Sequence, residues 1–307
     1  MICPWPKTKE IENLSLKAYL NLYSISTSQQ KKYLPKHLLE KKISFFLSKK
    51  DHIELPVDLT NAGMIAPFYK GPEIKVIEDK SSSLFALEKP SLVHCIAGGY
   101  EDYLNCLSFL RASGHSTYFS QYSQRDKEKG LLYRLDFETS GVLVFCKDPN
   151  LTREIFKNRD QYITEKIYYA RVKRKCQLTG EVCHYLRAYG PRGSRQEAVR
   201  ESDMEKHKRG EYSLGILEII NSKYDEITDT TSLKIKLKTG HRHQIRTQLA
   251  SLGHPICGDN LYENFYTKKR TSEKIETGKI DLHAYKYSIR LSDGRIITFK
   301  SEPDWPH

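Results

Sequence analysis

Residues 131–146 have the sequence LLYRLDFETSGVLVFC and combine two apolar runs with a polar turn between them. The runs at 131–135 and 142–145 predict two β-strands, and residues 136–141 predict the turn that joins them. Asp136 is therefore expected at the end of a strand, where a sheet can present a carboxylate to a surface cleft. Taken alone, the simpler interpretation is that Asp136 only caps the turn, because aspartate is common in turns.

The same kind of pattern continues on both sides of this segment. Further strands are predicted at 74–77, 84–87, 166–172, 216–220, 233–237, 282–289 and 295–299. Helices are predicted after Asp148, which serves as the cap, and over residues 244–252. Strands and helices mix without a regular βαβ rhythm. The sequence therefore predicts an α+β fold with a mixed, mainly antiparallel sheet, flanking helices and a central cleft.

The length of 307 residues suggests two units. Residues 1–70 differ from the rest and are interpreted as a small N-terminal helical or α+β unit. Residues 71–307 contain the predicted sheet and form the main domain. Within it, residues 187–212 are strongly polar and charged, which favours a solvated loop or hairpin.

Charge and cysteine content restrict the class of protein. Lys and Arg number 50 against 38 Asp and Glu, which gives a formal net charge of +12. Such a surplus fits a polyanionic partner such as nucleic acid, although solubility alone would also explain it. No apolar run is long enough to span a membrane, and no signal peptide is recognised. The seven cysteines lack metal-site spacing. Reduced thiols and a cytoplasmic location are expected.

A second chemically rich segment, at residues 239–262, reads TGHRHQIRTQLASLGHPICGDNLY. Basic and amide side chains crowd the start of the predicted helix, where free N–H groups attract phosphate. The alternative is a charged helix face turned to water. His241 and His243 flank Arg242, whose positive charge disfavours a metal ion, and no thiol or carboxylate partners accompany them. We therefore expect no metal site here.

Together these segments resemble the RluA-type family of RNA pseudouridine synthases. Arg-Leu-Asp-x-x-Thr-Ser-Gly at 134–141 matches the catalytic motif of that family. Its later motif is matched, in order and spacing, by His-Gln-Ile-Arg at 243–246, Gly-His-Pro-Ile at 253–256 and Gly-Asp-x-x-Tyr at 258–262. Lys-Ile-Tyr at 166–168 followed by Ala170 matches a third motif, and Lys-Pro at 89–90 and Leu-His-Ala at 282–284 match weaker landmarks. The resemblance covers about residues 72–300 and implies a catalytic domain at 71–307.

The departures from the family pattern concern neighbours of the motifs. Tyr133 and Gln248 stand where histidine is frequent, and His241 stands where arginine is usual. Ser91 and Leu92 follow Lys-Pro in place of the usual glycine. These differences bear on the RNA target and the phosphate contacts more than on the chemistry. Residues 50–55 faintly resemble the last strand of a small RNA-binding domain, so a diverged domain of that kind is one interpretation of residues 1–70.

The resemblance implies a reaction that breaks the N-glycosidic bond of a uridine and rejoins the uracil through carbon 5, without metal or cofactor. It assigns Asp136 as the catalytic carboxylate, acting as nucleophile or as base at the sugar. Arg246 is the matched cation, expected to orient Asp136 and to favour its charged form. Tyr168 is the matched aromatic residue, which can stack on the uracil beside the proton that leaves carbon 5.

The resemblance also implies a set of substrate-binding residues. The target uridine is expected to flip out of the stack. Arg134 then either fills the vacated space or clamps a phosphate. Ile256 and Leu282 line the pocket or pack in the core. Lys166, His243 and Gln244 complete the predicted set.

The main hypothesis is an isomerase, a pseudouridine synthase that acts as a monomer on ribosomal or transfer RNA. The alternative is an RNA-binding chaperone or ribosome-assembly factor on the same fold. A third reading, a basic nucleoside hydrolase, would require a second acid, and the motifs do not supply one that can be placed.

Overall fold

The structure, a computed structural model, describes residues 13–22, 27, 30–31, 34, 36–48, 65–66, 68–98, 102–123, 126–203, 211–267 and 278–307. Contacts divide the chain into two compact units. The first comprises Met1–Pro72, His94–Leu131 and Phe145–Asn150; the second comprises Glu73–Val93, Leu132–Val144 and Leu151–His307. All predicted site residues belong to the second unit. Residues 50–55, which suggested an RNA-binding domain, lie outside the described residues.

The described part of the first unit is helical. Its helices are α1 (Leu16–Leu22), α2 (Lys36–Leu39), α3 (Ile43–Ser48) and α4 (Cys106–Ala112), followed by a 3-10 turn at Thr117–Gln121. Asn105 starts α4, because its side chain accepts a hydrogen bond from the main-chain N–H of Ser108 at 2.8 Å. Leu16, Tyr19 and Leu20 of α1 are buried.

One large sheet forms the scaffold of the second unit. Its strands are β1 (Lys75–Glu78), β2 (Leu84–Lys89), β3 (Ser140–Cys146), β4 (Ile163–Lys173), β5 (Gly180–Tyr189), β6 (Arg195–Val199), β7 (Ser213–Asp225), β8 (Thr230–Leu237), β9 (Leu282–Arg290) and β10 (Ile296–Lys300). The order is β1-β2-β3-β9-β4-β8-β7-β5-β6, with β10 paired to β9. β3 and β9 run parallel, and β4 is antiparallel to both β8 and β9. The predicted mixed, mainly antiparallel α+β fold is confirmed.

In the described part of the chain, four helices accompany the sheet. They are α5 (Pro149–Lys157), α6 (Arg159–Tyr162), α7 (Gln244–Ser251) and α8 (Asn260–Thr267). Asp148 caps α5 as predicted, since its carboxylate accepts the main-chain N–H of Asn150 at 2.7 Å. Among the described residues, no helix combines the length and the apolar character needed to cross a membrane.

The predicted strand at 131–135 is wrong. Leu132 donates one main-chain hydrogen bond to Val144 at 3.0 Å, and no ladder follows. The reason is that β3 already has β2 and β9 as neighbours in the sheet. In addition, the Tyr133 hydroxyl, rather than a backbone N–H, donates to the Val142 carbonyl, while its ring stacks on Tyr287 with centroids 4.3 Å apart. Asp136 therefore follows an irregular segment instead of ending a strand.

Candidate active site

The turn that carries Asp136 rests on the segment after β2. Lys89 is buried, and its ammonium donates to the main-chain oxygens of Val93 at 2.7 Å and Phe137 at 3.2 Å. The N–H of Leu92 donates to the same Phe137 oxygen at 2.8 Å. Leu92 has a φ of +62°, a left-handed conformation that glycine adopts more readily. The chain adopts this left-handed conformation at Leu92 without a glycine.

The other end of the turn is fixed by β9. Gly141 has a φ of +111°, and a Cβ there would lie 2.3 Å from the main-chain oxygen of Ala284, so only glycine permits this approach. His283 donates from Nε2 to the Ser301 carbonyl at 2.8 Å, which leaves Nδ1 to accept from the Ser140 hydroxyl at 2.9 Å. Burial lowers the pKa of His283 to about 4. The neutral His283 therefore anchors the turn to β9.

Arg246 of α7 connects three carboxylates. Its side chain is only 1% exposed. The Nη1 atom lies 3.4 Å from Oδ2 of Asp136 and 3.0 Å from Oε2 of Glu138. On the other side, Nε and Nη2 donate to the two oxygens of Asp259 at 2.7 and 3.0 Å. The structure thus brings together Asp136 and Arg246, which are 110 residues apart in the sequence.

The protonation of this cluster differs in part from the expectation. Burial raises the pKa of Asp136 above its usual value, and the charges of Arg246 and Arg242 offset only part of this effect. Burial alone would lower the pKa of Arg246, but its bonds to Asp259 and the neighbouring carboxylates raise it instead. Arg246 favours the charged form of Asp136 as expected, yet burial outweighs it. The Asp136 side chain is 20% exposed and remains accessible from solvent.

Glu138 and Asp259 were not identified as functional neighbours in the sequence, although both lie within matched motifs. Glu138 shares the Nη1 atom of Arg246 with Asp136, so a second acid does lie beside the catalytic candidate. The signal available in the sequence was their place inside the matched motifs, Glu138 two residues after Asp136 and Asp259 directly after Gly258. Glu138 accepts a hydrogen bond from Arg246 at 3.0 Å and therefore helps to position the arginine.

His243 precedes α7 and faces Asp136. Its residue adopts a φ of +52°, and its Nε2 atom lies 3.8 Å from Oδ1 of Asp136. Burial and then the charge of Arg246 lower the pKa of His243 to about 3, so the ring is neutral. The Tyr262 hydroxyl accepts from the N–H of Gln196 and lies 2.9 Å from His243 Nδ1. If the Tyr262 proton points to Nδ1, both groups are satisfied and the ring N–H is on Nε2, toward Asp136.

Strand β4 contributes Tyr168 and Lys166. Tyr168 is buried and lies opposite Ala284, after a register shift in the β4–β9 pairing. Ala284 is also the partner of Gly141 in β3, so the pairing brings Tyr168 level with the end of the Asp136 turn. Lys166 donates to the Thr239 carbonyl at 3.0 Å. Burial, with an additional effect from a nearby arginine, lowers the pKa of Lys166 to about 8.

The Gln244 side chain is occupied by the chain itself. Its oxygen accepts from the main-chain N–H of His241 at 3.1 Å and from the Thr239 hydroxyl at 2.9 Å. Its amide nitrogen donates to the Ile216 carbonyl at 3.2 Å. These bonds fix the loop before α7, and the predicted substrate-binding role of Gln244 stays a prediction.

Of the three remaining predicted site residues, one is exposed and two are buried. Arg134 is exposed two residues before Asp136. Ile256 and Leu282 are buried and pair with β4 at positions two residues apart, Ile256 through an isolated bridge to Val172 and Leu282 opposite Ala170. They support the strand that carries Tyr168.

Comparison with known proteins identifies the family. A family model described as RNA pseudouridylate synthase matches residues 83–251. This range is more than half of the chain and includes Asp136, Tyr168 and Arg246. The chain belongs to the RNA pseudouridylate synthase family. It is therefore an isomerase that converts uridine into pseudouridine in RNA, and the family resemblance seen in the sequence is confirmed.

Relatives of this pseudouridine synthase support the RluA type. The dual-specificity RNA pseudouridine synthase RluA of Vibrio parahaemolyticus is 27% identical over 70% of this chain and 76% of its own length. The tRNA pseudouridine synthase C of Haemophilus ducreyi is 29% identical over 50% of this chain and 63% of its own. The solved structure of human RNA pseudouridylate synthase domain containing 1 has the same fold. Its TM-score is 0.53 and its identity 19%, over 77% of this chain and 86% of that chain.

Proposed function

We propose that Asp136 is the catalytic carboxylate of this pseudouridine synthase, with Arg246 as the cation that orients it and Tyr168 as the aromatic residue beside the base. The contact between Arg246 Nη1 and Asp136 Oδ2 at 3.4 Å carries the proposal. It is supported by the partial exposure of Asp136 and by the two hydrogen bonds that the same guanidinium donates to Asp259. An arginine held in this way gives the carboxylate a defined position.

The reaction balances within the substrate. The bond between uracil N1 and the ribose C1′ breaks, the uracil turns, and carbon 5 bonds to C1′. Carbon 5 loses a proton and N1 gains one, so no oxidant, reductant or cofactor is consumed. Asp136 acts at the ribose as nucleophile or base, and either role requires its ionised form. Tyr168 stacks on the uracil beside the proton that leaves carbon 5.

The neighbouring residues bind and admit the nucleotide. A uridine in a stacked strand has to flip out to reach Asp136. Arg134, which is exposed, fills the space that the base leaves or clamps a phosphate. His243 presents a neutral ring to the carboxylate, Lys166 and Gln244 hold the loop at Thr239, and Ile256 and Leu282 support the pocket wall.

The proposed substrates are ribosomal or transfer RNA. The name of the Haemophilus relative refers to tRNA, and the net charge of +12 suits a large polyanion. Binding should therefore weaken steeply as salt is raised.

The experiment is to incubate the purified protein, without added cofactor, with total RNA from a strain deleted for its gene and to map pseudouridine. New pseudouridine at defined uridines is expected, and the mapped sites identify the target. A folded protein that binds this RNA but forms no pseudouridine would instead be a chaperone or assembly factor on the same fold.

Three finer points belong to the same proposal. The enzyme acts as a monomer, since one chain supplies all the site residues, and light scattering with size-exclusion chromatography tests this. It acts in the cytoplasm, where cysteines stay reduced, and cell fractionation tests this. Residues 1–70 contribute to RNA binding, which a deletion variant tests by its RNA affinity.

A further inference from the structure

A groove separate from Asp136 lies beside the loop that precedes α7. It encloses about 440 Å³ between the β5–β6 hairpin, the start of β7 and that loop. Its polar lining comprises Arg187, Gln196, Glu211, Ser213, His241 and Arg242. We call it the hairpin groove.

Aromatic and arginine side chains alternate next to this groove. The rings of Tyr189 and Phe265 lie 5.2 Å apart. The Arg187 guanidinium lies 5.8 Å from the Tyr189 ring centre, and that of Arg195 lies 5.7 Å from Phe265. Tyr189 is 44% exposed. These four residues form what we call the aromatic platform, and Arg187 makes it continuous with the hairpin groove.

A chain of contacts links the platform to the active site. The Phe265 ring lies 6.4 Å from that of Tyr262, and Tyr262 in turn lies 5.6 Å from the His243 ring. His243 faces Asp136 at 3.8 Å. Tyr262 is buried, so these contacts place the platform two ring contacts from His243, close enough for the strand that carries the target nucleotide to reach it.

The charges of this surface leave one positive charge in excess. Three arginines, at 187, 195 and 242, face two acids. Glu197 pairs with Arg187 at 2.6 Å, and Glu211 lines the groove. The Arg242 guanidinium donates to the Gly193 and Ser194 carbonyls at 2.8 and 2.9 Å. No ion pair among the described residues joins Arg242 to a carboxylate. Its charge acts on Asp136 at longer range, and the guanidinium can still contact a phosphate.

We propose that the hairpin groove and the aromatic platform bind the single-stranded RNA that continues from the target uridine. The proposal rests on the proposed function, since the strand enters from the Asp136 site. Bases stack on Tyr189 and Phe265, and Arg242 contacts the phosphates. An exposed ring at Tyr189 and a half-buried ring at Phe265, interleaved with arginines, suit unpaired nucleotides, because every base has a face that stacks and every linkage carries a negative charge. An acidic protein segment could pair with the arginines but would have no bases to stack on the aromatic rings.

The test measures dissociation constants of the full chain for two labelled strands. One is an oligouridylate of about 12 nucleotides, within the usual size of single-strand sites, and the other is an abasic strand of equal length. Tyr189→Ala should weaken oligouridylate binding by about 5-fold or more and leave abasic-strand binding unchanged. Tyr189→Phe should bind like the wild type. Arg242→Ala should weaken both and reduce the salt slope by about 0.7.

Tyr224→Ala is the matched control. Lys175 lies over the Tyr224 ring at 5.4 Å, and Tyr224 lies about 35 Å along β7 from Ser213 of the groove, at about 3.3 Å per residue. Its affinities should equal those of the wild type.

Unchanged oligouridylate binding by Tyr189→Ala, or equal losses of affinity for both strands, would contradict the proposal that bases stack on the aromatic platform. Binding of polyglutamate as tight as that of oligouridylate would instead indicate an acidic protein partner. Pseudouridine formation by the wild type is measured separately, so failure of the platform and failure of the proposed function are distinguishable.

Discussion

Replacing Asp259 with asparagine leaves the positive charge of Arg246 in place but weakens the contact that positions its guanidinium. Both side chains of the Arg246–Asp259 pair are 1% exposed, and two hydrogen bonds of 2.7 and 3.0 Å join them. Asparagine keeps the shape and one acceptor but loses the charge. A hydrogen bond to a charged group contributes about 1.5–3 kcal/mol. Asp136 and Glu138 still neutralise Arg246, so the ~3–5 kcal/mol penalty of a stranded buried charge does not apply.

The free energy of unfolding of Asp259→Asn should therefore fall by about 2 kcal/mol. For a domain of this size the melting temperature should fall by about 4–8 °C. Without its bidentate partner, Arg246 can rotate, and Asp136 loses its defined position. We expect kcat to fall by about 10–100-fold with KM nearly unchanged, because small displacements of a catalytic group have effects of this size. The assay follows pseudouridine formation in a transcript carrying the mapped uridine, well below the melting temperature.

Asp281→Asn is the matched control. Asp281 also pairs with an arginine, Arg171, at 2.6 and 2.8 Å, but these side chains are 15% and 28% exposed. Its loss should cost at most about 1 kcal/mol and leave kcat unchanged. If Asp259→Asn also keeps the wild-type kcat, Asp259 does not position the catalytic carboxylate and the reasoning is refuted.

Three further predictions concern the Asp136 turn. Acidification should slow the reaction through a pKa above the ~3.9 of ordinary aspartate, because burial raises the pKa of Asp136 and only its ionised form acts; a pH–rate profile that is flat down to about pH 4 would contradict this. Gly141→Ala should lower the free energy of unfolding by about 3 kcal/mol, since its Cβ would meet Ala284; chemical denaturation measures it, and a neutral result disproves the close approach. Ser140→Ala should cost about 1–3 kcal/mol by leaving His283 Nδ1 unpaired, and wild-type stability in the same assay would show that this bond is unimportant.

The sequence predicted most strands because half-buried strands alternate apolar and polar residues, a pattern that needs no knowledge of the partner strand. It failed at 131–135, where the local pattern is equally strong. There the outcome depends on the neighbours of β3 in the sheet and on the side chain of Tyr133. Neither is encoded in local periodicity.

Only the site residues that the family motifs assign could be predicted from the sequence. Asp136 and Arg246 were paired in advance because the family motifs pair them. The pairing of Arg246 with Glu138 and Asp259 was not predicted. These acids lie 108 and 13 residues from Arg246 in the sequence, and only the fold decides which buried acid contacts which buried base. The raised pKa of Asp136 also depends on burial, which only the assembled structure reveals.

Turnover by Asp136→Asn measures the central claim most directly. Asparagine retains the shape of the side chain and can still accept a hydrogen bond from Arg246, so the variant should fold and bind RNA with nearly wild-type affinity. With a transcript carrying the mapped uridine, we expect no pseudouridine above the background of a protein-free reaction. Pseudouridine formation at a rate comparable to that of the wild type would contradict the assignment of Asp136 as the catalytic carboxylate.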